Sequence, residues 1–195
     1  MRLILLTILF ISSFGQVHEM NFKTSSGDTL TIANDIIYFN KKPISKKIDG
    51  IIYNSKYDRI IEQSSTTLLF LEIDDKPNYN KLYAFKVTNQ KAAKVIECVY
   101  NDKNQGLGPA PFTDMDKDGN IEIGGFGLTE FYDSDDSTYY NPSKFYEVSN
   151  GKVTFDSSLT KAMDIKFNGF YLHNPLDKDG NCCVVIKRPT KKSSR

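Results

Sequence analysis

The chain has 195 residues, with 25 basic and 24 acidic side chains and therefore a formal net charge of +1. A nearly neutral protein has no overall electric field that would attract nucleic acid or an anionic membrane, so neither is an expected partner. Hydrophobic residues make up 39% of the chain and charged residues 25%, which is the composition of a folded globular protein large enough to build one hydrophobic core.

The N-terminal sequence predicts export. Residues 3–11, LILLTILFI, form an apolar run behind a single positive charge, Arg2, and the small residues Ser13 and Gly15 follow. This three-part layout is typical of a secretory signal peptide, and the run is too short for a membrane-spanning helix in the mature protein. We expect cleavage after Gly15, which removes residues 1–15 and leaves a secreted or periplasmic protein with no inserted segment. The alternative is a buried N-terminal strand.

The rest of the chain alternates short runs of β-branched and aromatic residues with polar turns, a pattern that predicts an all-β meander. One segment, residues 157–165, predicts a helix of one or two turns. We expect a single all-β domain over residues 16–187, followed by a basic, flexible tail over residues 188–195. In chain order, the predicted strands are residues 29–33, 35–39, 59–63, 67–73, 81–87, 92–100, 120–126, 144–148, 151–155 and 183–187.

An internal repeat divides this domain. The pentapeptide DKDGN occurs at residues 116–120 and again at residues 177–181, a spacing of 61 positions. A second set of matches has the same spacing and pairs Phe85, Val87, Asn89 and Lys91 with Tyr146, Val148, Asn150 and Lys152. Weaker matches place Phe22 and Gly27 about two periods before Tyr146 and Gly151. Each unit therefore consists of an acidic turn, two strands, a longer turn and a hairpin.

Four meandering strands in each unit are typical of a β-propeller blade. The chain starts with the second half of a unit and ends with the first half of one, so its two ends are expected to share a blade. Only about three units are present, however, whereas closed propellers usually have four to eight blades. The predicted fold is therefore all-β, with repeated antiparallel four-stranded meanders arranged like a β-propeller or as an open arc. The alternative is a β-sandwich.

The segment DMDKDGNIEI carries four acidic side chains in a short turn. Asp114, Asp116 and Asp118 alternate along it, and Glu122 follows the glycine. Calcium takes six to eight oxygen ligands from carboxylates and carbonyls, and the backbone carbonyl of Asn120 adds one such oxygen. Four carboxylates this close together would repel one another strongly without a cation. The sequence thus predicts a structural Ca2+ site, and the alternative is a solvated acidic turn without an ion.

An EF-hand would need an acid at loop position twelve, where this chain has Gly125. The loop instead resembles the calcium loop of FG-GAP/VCBS-type repeats, whose pattern is D-x-D-x-D-G-x-x-[DE] followed by a strand. The resemblance covers about ten residues and, loosely, the repeat period. It implies a secreted or surface β-propeller protein that binds proteins or glycans. It also implies five metal ligands, which are Asp114, Asp116, Asp118, Asn120 and Glu122.

Two further segments resemble this loop but lack some of its acidic residues. In the second DKDGN copy, Pro175 and Cys183 stand where the first copy has two of its carboxylates, so we expect a plain turn. The segment around Asn54 and Asp58 has lost still more.

The expected export places the three cysteines in an oxidising compartment, where disulfides form. Because three is an odd number, at least one cysteine has no partner within the chain. Cys98 lies in the apolar run VIECVY, whereas Cys182 and Cys183 are neighbours. Successive side chains of a strand point to opposite faces, so only one of the neighbours can share a face with Cys98. We expect one disulfide from Cys98 to either neighbour and a buried third thiol. The alternative is three unpaired thiols.

The sequence has no GxSxG, HExxH or catalytic-cysteine pattern, and we predict no catalytic residue and no organic cofactor. It favours a calcium-binding module with an unidentified protein or glycan partner over an enzyme. Two alternatives come from other classes. An exported glycan hydrolase would use the acids near residues 130–136. A secreted inhibitor or immunity-type protein would act through a surface that the sequence does not define.

Overall fold

The computed structural model describes residues 19–52, 54–75, 79–100, 109–127 and 136–187. These residues form strands together with one helix, α1 (Ser157–Asn168). The strands, in chain order, are β1 (Met20–Lys23), β2 (Thr29–Ala33), β3 (Ile36–Phe39), β4 (Lys42–Pro43), β5 (Ile51–Ile52), β6 (Arg59–Gln63), β7 (Thr66–Asp75), β8 (Tyr79–Val87), β9 (Ala92–Val99), β10 (Ile121–Phe126), β11 (Ser137–Tyr139), β12 (Ser143–Ser149), β13 (Lys152–Phe155) and β14 (Val185–Lys187).

The strands pair antiparallel in several sheets. The first sheet is a four-stranded meander in the order β1-β2-β3-β4. In the central sheet β7, β8 and β9 lie side by side, and β5 and β6 both pair with the other edge of β7. The third sheet has the order β10-β12-β13, and β11 pairs with β14 in a small fourth sheet. Consecutive strands are thus mostly neighbours, as expected for a meander.

The central sheet is buried on both faces. Along β7, Leu69, Leu71 and Ile73 point into a core shared with the first sheet, whereas Leu68 and Phe70 point into a core shared with the third sheet. This alternation follows from the two-residue period of a strand. A strand that is covered on both sides has no polar face, which explains the continuous apolar run in TLLFLEI. The first, central and third sheets are therefore three stacked layers.

The last two residues of β6 join these layers by side-chain hydrogen bonds. Glu62 Oε2 accepts a hydrogen bond of 2.7 Å from the backbone N–H of Ser25 in the β1–β2 turn. Gln63 Oε1 accepts one of 3.2 Å from the backbone N–H of Gly151 in the β12–β13 turn. Gly151 has a φ of +69°, and a Cβ there would lie 2.7 Å from the carbonyl oxygen of Gln63, so no larger residue fits. The two hairpins that the repeat equates therefore both contact the central sheet through their turns.

Helix α1 packs against the third sheet and is attached by buried polar groups. The helix begins after Asp156, whose carboxylate caps the first turn, and ends at Gly169, which has a left-handed φ of +83°. Asp164 is buried within the helix and accepts two hydrogen bonds. One comes from the backbone N–H of Ser143 at 2.8 Å, and the other from the hydroxyl of Tyr140 at 2.7 Å. One carboxylate thus joins the helix to the start of β12.

The prediction of an all-β fold with antiparallel meanders is confirmed, and every predicted strand is present with small shifts at its ends. Strands β1, β4, β5 and β11 were not predicted. The helix continues to Asn168 instead of ending at residue 165. The third sheet departs from the four-stranded unit, because β10 pairs directly with β12 and α1 follows the hairpin.

The described strands form an open stack rather than a closed ring. At the two ends of this part of the chain, β1 pairs with β2 and β14 pairs with β11. The prediction that the two ends share a blade is therefore wrong for the described residues. The reason is that β14 finds its partner in β11, within its own half of the chain.

The cysteine pairing also differs from the prediction. Cys182 and Cys183 form a disulfide with each other, and Cys98 is a free, buried thiol on β9. Cys98 points into the core between the central and third sheets, whereas the two neighbours lie in the segment between α1 and β14. The expected bridge from Cys98 is therefore wrong. Burial raises the pKa of the Cys98 thiol to about 12, which keeps it protonated and unreactive at neutral pH.

The predicted signal peptide, residues 1–15, and the predicted tail, residues 188–195, both lie outside the described residues. In the part of the chain that is described, α1 has 12 residues, and no helix has the length and apolarity needed to cross a membrane.

Replacing Asp164 should destabilise the protein. In Asp164→Asn, one of the two donors that face the carboxylate meets an amide N–H instead of an acceptor, so we expect a loss of about 1–3 kcal/mol in the free energy of unfolding. Tyr140→Phe removes a hydroxyl that also accepts from the N–H of Leu172 at 2.9 Å, and should cost a similar amount. Urea denaturation measures both values.

The matched control for this prediction is Asp179→Asn, at an exposed aspartate, which should stay within about 0.5 kcal/mol of the wild type. Equal unfolding midpoints for Asp164→Asn and Asp179→Asn would show that the buried carboxylate does not hold the helix.

Candidate metal centre

A short antiparallel bridge closes the acidic loop at its base. The backbone N–H of Phe112 donates to the carbonyl of Glu122 at 2.7 Å, and the N–H of Glu122 donates to the carbonyl of Thr113 at 3.0 Å. Glu122 lies near the start of β10, so this bridge attaches the loop to the third sheet. The intervening residues, 114–120, consequently fold back as a compact turn.

Backbone N–H groups inside the turn point at the aspartates. Asp114 accepts hydrogen bonds from the N–H groups of Asp118 and Gly119, both at 3.1 Å, and Asp116 accepts one from Asp118 at 3.2 Å. Gly119 has a φ of +94°, a conformation that favours glycine. Short acidic side chains that bond to the following backbone are typical of such turns. The pattern D-x-D-x-D-G therefore shapes the turn as well as supplying its charge.

Glu122 is the buried member of the cluster, with 0% of its surface exposed. Its Oε2 accepts a hydrogen bond of 2.6 Å from the N–H of Met115, whereas its Oε1 is buried without a hydrogen-bond partner among the described residues. A buried carboxylate oxygen without a donor is rare, because the loss of its hydration is not compensated. Oxygens of Glu122, Asp114 and Asp116 lie within 4.8 Å of one another. These three acids could hold a metal ion.

The electrostatics of the cluster favour a cation. Burial is the main cause that raises the pKa of Glu122 to about 6, and the negative charges of Asp116, Asp118 and Asp114 contribute to the rise. The hydrogen bond from Met115 opposes it. A positive ion among these acids would favour the ionised carboxylate of Glu122 and reduce the repulsion between its neighbours.

Three of the five predicted ligands are thus brought together. Asp118 lies outside the three-acid group, and its carboxylate accepts hydrogen bonds from the backbone N–H of Asn120 at 2.8 Å and from the side-chain amide of Asn120 at 3.1 Å. In this conformation Asp118 supports the turn and adds its charge to the neighbourhood. The roles of Asp118 and of the Asn120 carbonyl as ligands stay predictions.

The second DKDGN segment folds as a related turn. Asp177, which matches Asp116, accepts hydrogen bonds from the N–H of Asp179 at 2.9 Å and from the N–H of Asn181 at 2.8 Å. Pro175 stands where the first copy has Asp114, so this turn has no counterpart of the three-acid group. The same pentapeptide therefore gives the turn in both places and the acid cluster in only one.

The segment around Asn54 and Asp58, which resembles the acidic loop least, forms a different polar site that the sequence analysis did not predict. The carboxylate of Asp58 accepts hydrogen bonds of 2.7 Å from the N–H groups of Ser55 and Glu72, and the hydroxyl of Ser55 donates to the buried carboxylate of Glu72. Burial raises the pKa of Asp58 to about 6, and the charge of Glu72 contributes. Hydrogen bonds and the nearby Arg59 oppose the rise. The single acid in the apolar run TLLFLEI was the signal that could have indicated this site.

A scan against protein-family models finds no match for this chain, and neither a search of curated proteins nor a search of solved structures finds one. Function is therefore inferred from the geometry and chemistry of the described residues.

Removing the charge of Glu122 should stabilise the ion-free protein. In a chelator at pH 7, we expect Glu122→Gln to raise the free energy of unfolding by about 1 kcal/mol, because one of the crowded negative charges disappears. The amide oxygen can keep the hydrogen bond from Met115, and the amide N–H groups can donate to the neighbouring carboxylates. Chemical denaturation measures the change.

The control for this effect is Glu122→Ala, which loses the Met115 hydrogen bond as well as the charge and should be less stable than Glu122→Gln. If Glu122→Gln were less stable than the wild type in chelator, repulsion among the acids would not be a significant cost.

The raised pKa of Asp58 predicts a pH dependence. Its pKa is about 6 in the folded protein against an ordinary value of 3.8, so the folded state binds more protons between these values. The contribution of Asp58 to stability is therefore present at low pH and is lost as the pH rises through about 6. Urea denaturation of Asp58→Asn at successive pH values should show a smaller fall across this range. The part of this fall in stability that is due to Glu122, whose pKa is also raised to about 6, should remain. If the free energy of unfolding of Asp58→Asn changed with pH as steeply as that of the wild type, the role of Asp58 would be ruled out.

Proposed function

We propose that the protein is an exported calcium-binding β-protein that acts as a binding or interaction module, with a structural ion in its acidic loop. The observation that carries this proposal is the carboxylate of Glu122, which is buried and leaves one oxygen without a hydrogen-bond donor. The same side chain lies in a group with Asp114 and Asp116 that spans 4.8 Å. A cation would satisfy the oxygen and neutralise its neighbours at the same time.

Calcium suits this group by its ligand chemistry. The group offers carboxylate oxygens and no nitrogen or sulfur ligand, which favours a hard cation. Calcium binds oxygen at about 2.3–2.6 Å, so ligand oxygens on opposite sides of the ion are about 4.8 Å apart. The three acids lie within this limit. Asp118, the carbonyl of Asn120 and water are the proposed remaining ligands.

An ion here would strengthen the contact between two layers. Met115 in the loop packs against the small core beneath α1. Phe112, at the base of the loop, packs edge-on against Phe70 of the central sheet, with ring centroids 5.0 Å apart, and the guanidinium of Arg59 lies 4.0 Å from the centroid of the Phe112 ring. Holding the loop in one conformation would therefore support both contacts.

Export and partner binding are supported by sequence and surface features. The signal-peptide pattern of residues 1–15 supports a secreted or periplasmic location, and the loop's resemblance to FG-GAP/VCBS-type repeats supports a protein or glycan partner. Exposed apolar side chains, such as Ile165 and Phe170 near the end of α1, are of the kind that protein partners bind. The acids of the hydrolase alternative lie outside the described residues except for the exposed Asp136, so that alternative stays a prediction.

Calcium should raise the thermal stability of the protein. An ion at one hundred times its dissociation constant stabilises the folded state by about 2.7 kcal/mol, which corresponds to a rise of several degrees in the melting temperature of a chain of this size. We expect this rise between excess chelator and millimolar calcium. Asp116→Asn should lose most of it, because one ligand charge is removed, while the side-chain oxygen can still accept from Asp118. Differential scanning calorimetry measures the change.

Asp177→Asn is the matched control, since it makes the same change in the second copy of DKDGN and should keep the full calcium response. Equal responses from the wild type, Asp116→Asn and Asp177→Asn would contradict a site at the acidic loop.

A further inference from the structure

A second candidate site lies at the seam between the first and central sheets. Here the segment of residues 44–49, which follows β4, and the strands β8 and β9 enclose an open pocket of about 610 Å³. Its floor is apolar and includes Ile44, Ile48, Tyr83 and Phe85, all of which belong to the core between the two sheets. Ligand pockets commonly have a volume of about 300–1,000 Å³ and a mostly apolar lining. The pocket shares no residue with the acidic loop.

The segment of residues 44–49 forms one wall of this pocket, and backbone hydrogen bonds hold it in place. The N–H of Ile44 donates to the carbonyl of Ile37, and the N–H of Ile48 donates to the carbonyl of Asp35, at 2.8 and 2.7 Å. The N–H of Ala92 on β9 donates to the carbonyl of Ile44 at 2.8 Å. Ile44 is thus bonded to strand β3, and Ile48 is bonded to the turn between β2 and β3. Ile44 also accepts the hydrogen bond from β9, which joins this wall to the central sheet. A site built this way is formed before a ligand arrives.

The rim of the pocket is strongly basic. Lys46, Lys47, Lys91 and Lys94 line it, with Asp49 as the acid among the lining residues. Two of these lysines are paired with acids just outside, since Lys47 lies 3.4 Å from Asp35 and Lys94 lies 2.9 Å from Glu97. Lys46 and Lys91 are exposed and have no ion pair among the described residues. The rim therefore keeps positive charge that is available to an anion.

Tyr83 adds an aromatic surface at the junction of rim and floor. Its ring is mostly buried, and the ammonium group of Lys94 lies 4.1 Å from the ring centroid. This contact places a cation directly over the edge of the apolar floor. The charge of this ammonium group is shared with Glu97, so the positive charge available to the polar end of a ligand comes from Lys46 and Lys91.

We propose that this pocket binds a small amphipathic anion, which consists of an apolar body and one negatively charged head group. The apolar floor excludes a ligand that is charged throughout, because desolvation of further charges would not be compensated. The lysines on the rim favour a head group of negative charge over one of positive charge. Carboxylate and phosphate monoester head groups share this chemistry.

The test is a calorimetric titration of the protein with three ligands of equal chain length, at submillimolar concentrations and low salt. Decanoate and decyl phosphate carry an anionic head, and decyltrimethylammonium carries a cationic one. We expect at least one anion to bind with a stoichiometry near one, at least tenfold more tightly than the cation. The tighter of the two anions identifies the head group. Equal affinity for anion and cation, or no binding of either anion, would overturn the proposal.

Substitutions inside and outside the pocket test whether the anion binds there. Lys46→Gln combined with Lys91→Gln should weaken anion binding by about tenfold, because the two available charges are removed. Lys161→Gln combined with Lys178→Gln makes the same change at exposed lysines elsewhere and should leave the affinity unchanged. Ala92→Phe places a large side chain on the face of β9 that Ala92 shares with Lys94 in the pocket lining, and should abolish binding without altering the calcium response. Equal effects of the two lysine pairs, or full binding by Ala92→Phe, would show that the anion binds elsewhere.

Discussion

The structure depends on the burial of the β7–β8 hairpin on both faces. Leu69, Leu71 and Ile73 serve one core, and Leu68 and Phe70 serve the other, so a single strand contributes to both. Burial of each such side chain stabilises the fold by about 1.5–3 kcal/mol. The first and third sheets cover these two faces, and the polar sites lie where the covering layers meet the hairpin. The basic pocket lies at the seam with the first sheet, and the acidic loop lies at the seam with the third.

The acidic loop combines two requirements that conflict without an ion. Its turn is formed by aspartates that accept backbone hydrogen bonds, and its base is a β-bridge through Glu122, whose side chain is buried as a result. The turn therefore gathers acids around a carboxylate that has lost its water. A cation among these acids would resolve the conflict, and this argument for an ion site does not depend on any family resemblance. The second DKDGN segment forms its turn without this cost, because no buried acid faces it.

The sequence predicted the strands well because their pattern is local. Runs such as TLTIA and RIIEQ coincide with β2 and β6, and the turns between them carry the expected polar residues. Long-range pairing could not be read in the same way. Strand β5 pairs with β7 although β6 lies between them in the sequence, and β14 pairs with β11 although β12, β13 and α1 lie between them. The segments that the repeat period relates include the β1–β2 and β12–β13 hairpins, but the expected sharing of a blade by the two ends is wrong for the described residues. Vicinal pairing of Cys182 with Cys183 was missed because the alternation of strand faces was applied to residues that precede the strand.

Isothermal titration calorimetry with calcium measures whether one divalent cation binds at Glu122, Asp114 and Asp116, as we claim. The geometry predicts one ion per chain in the wild type and in Asp177→Asn, and no measurable binding in Glu122→Gln. Binding of the same strength in Glu122→Gln, or no heat of binding in the wild type at millimolar calcium, would contradict the claim.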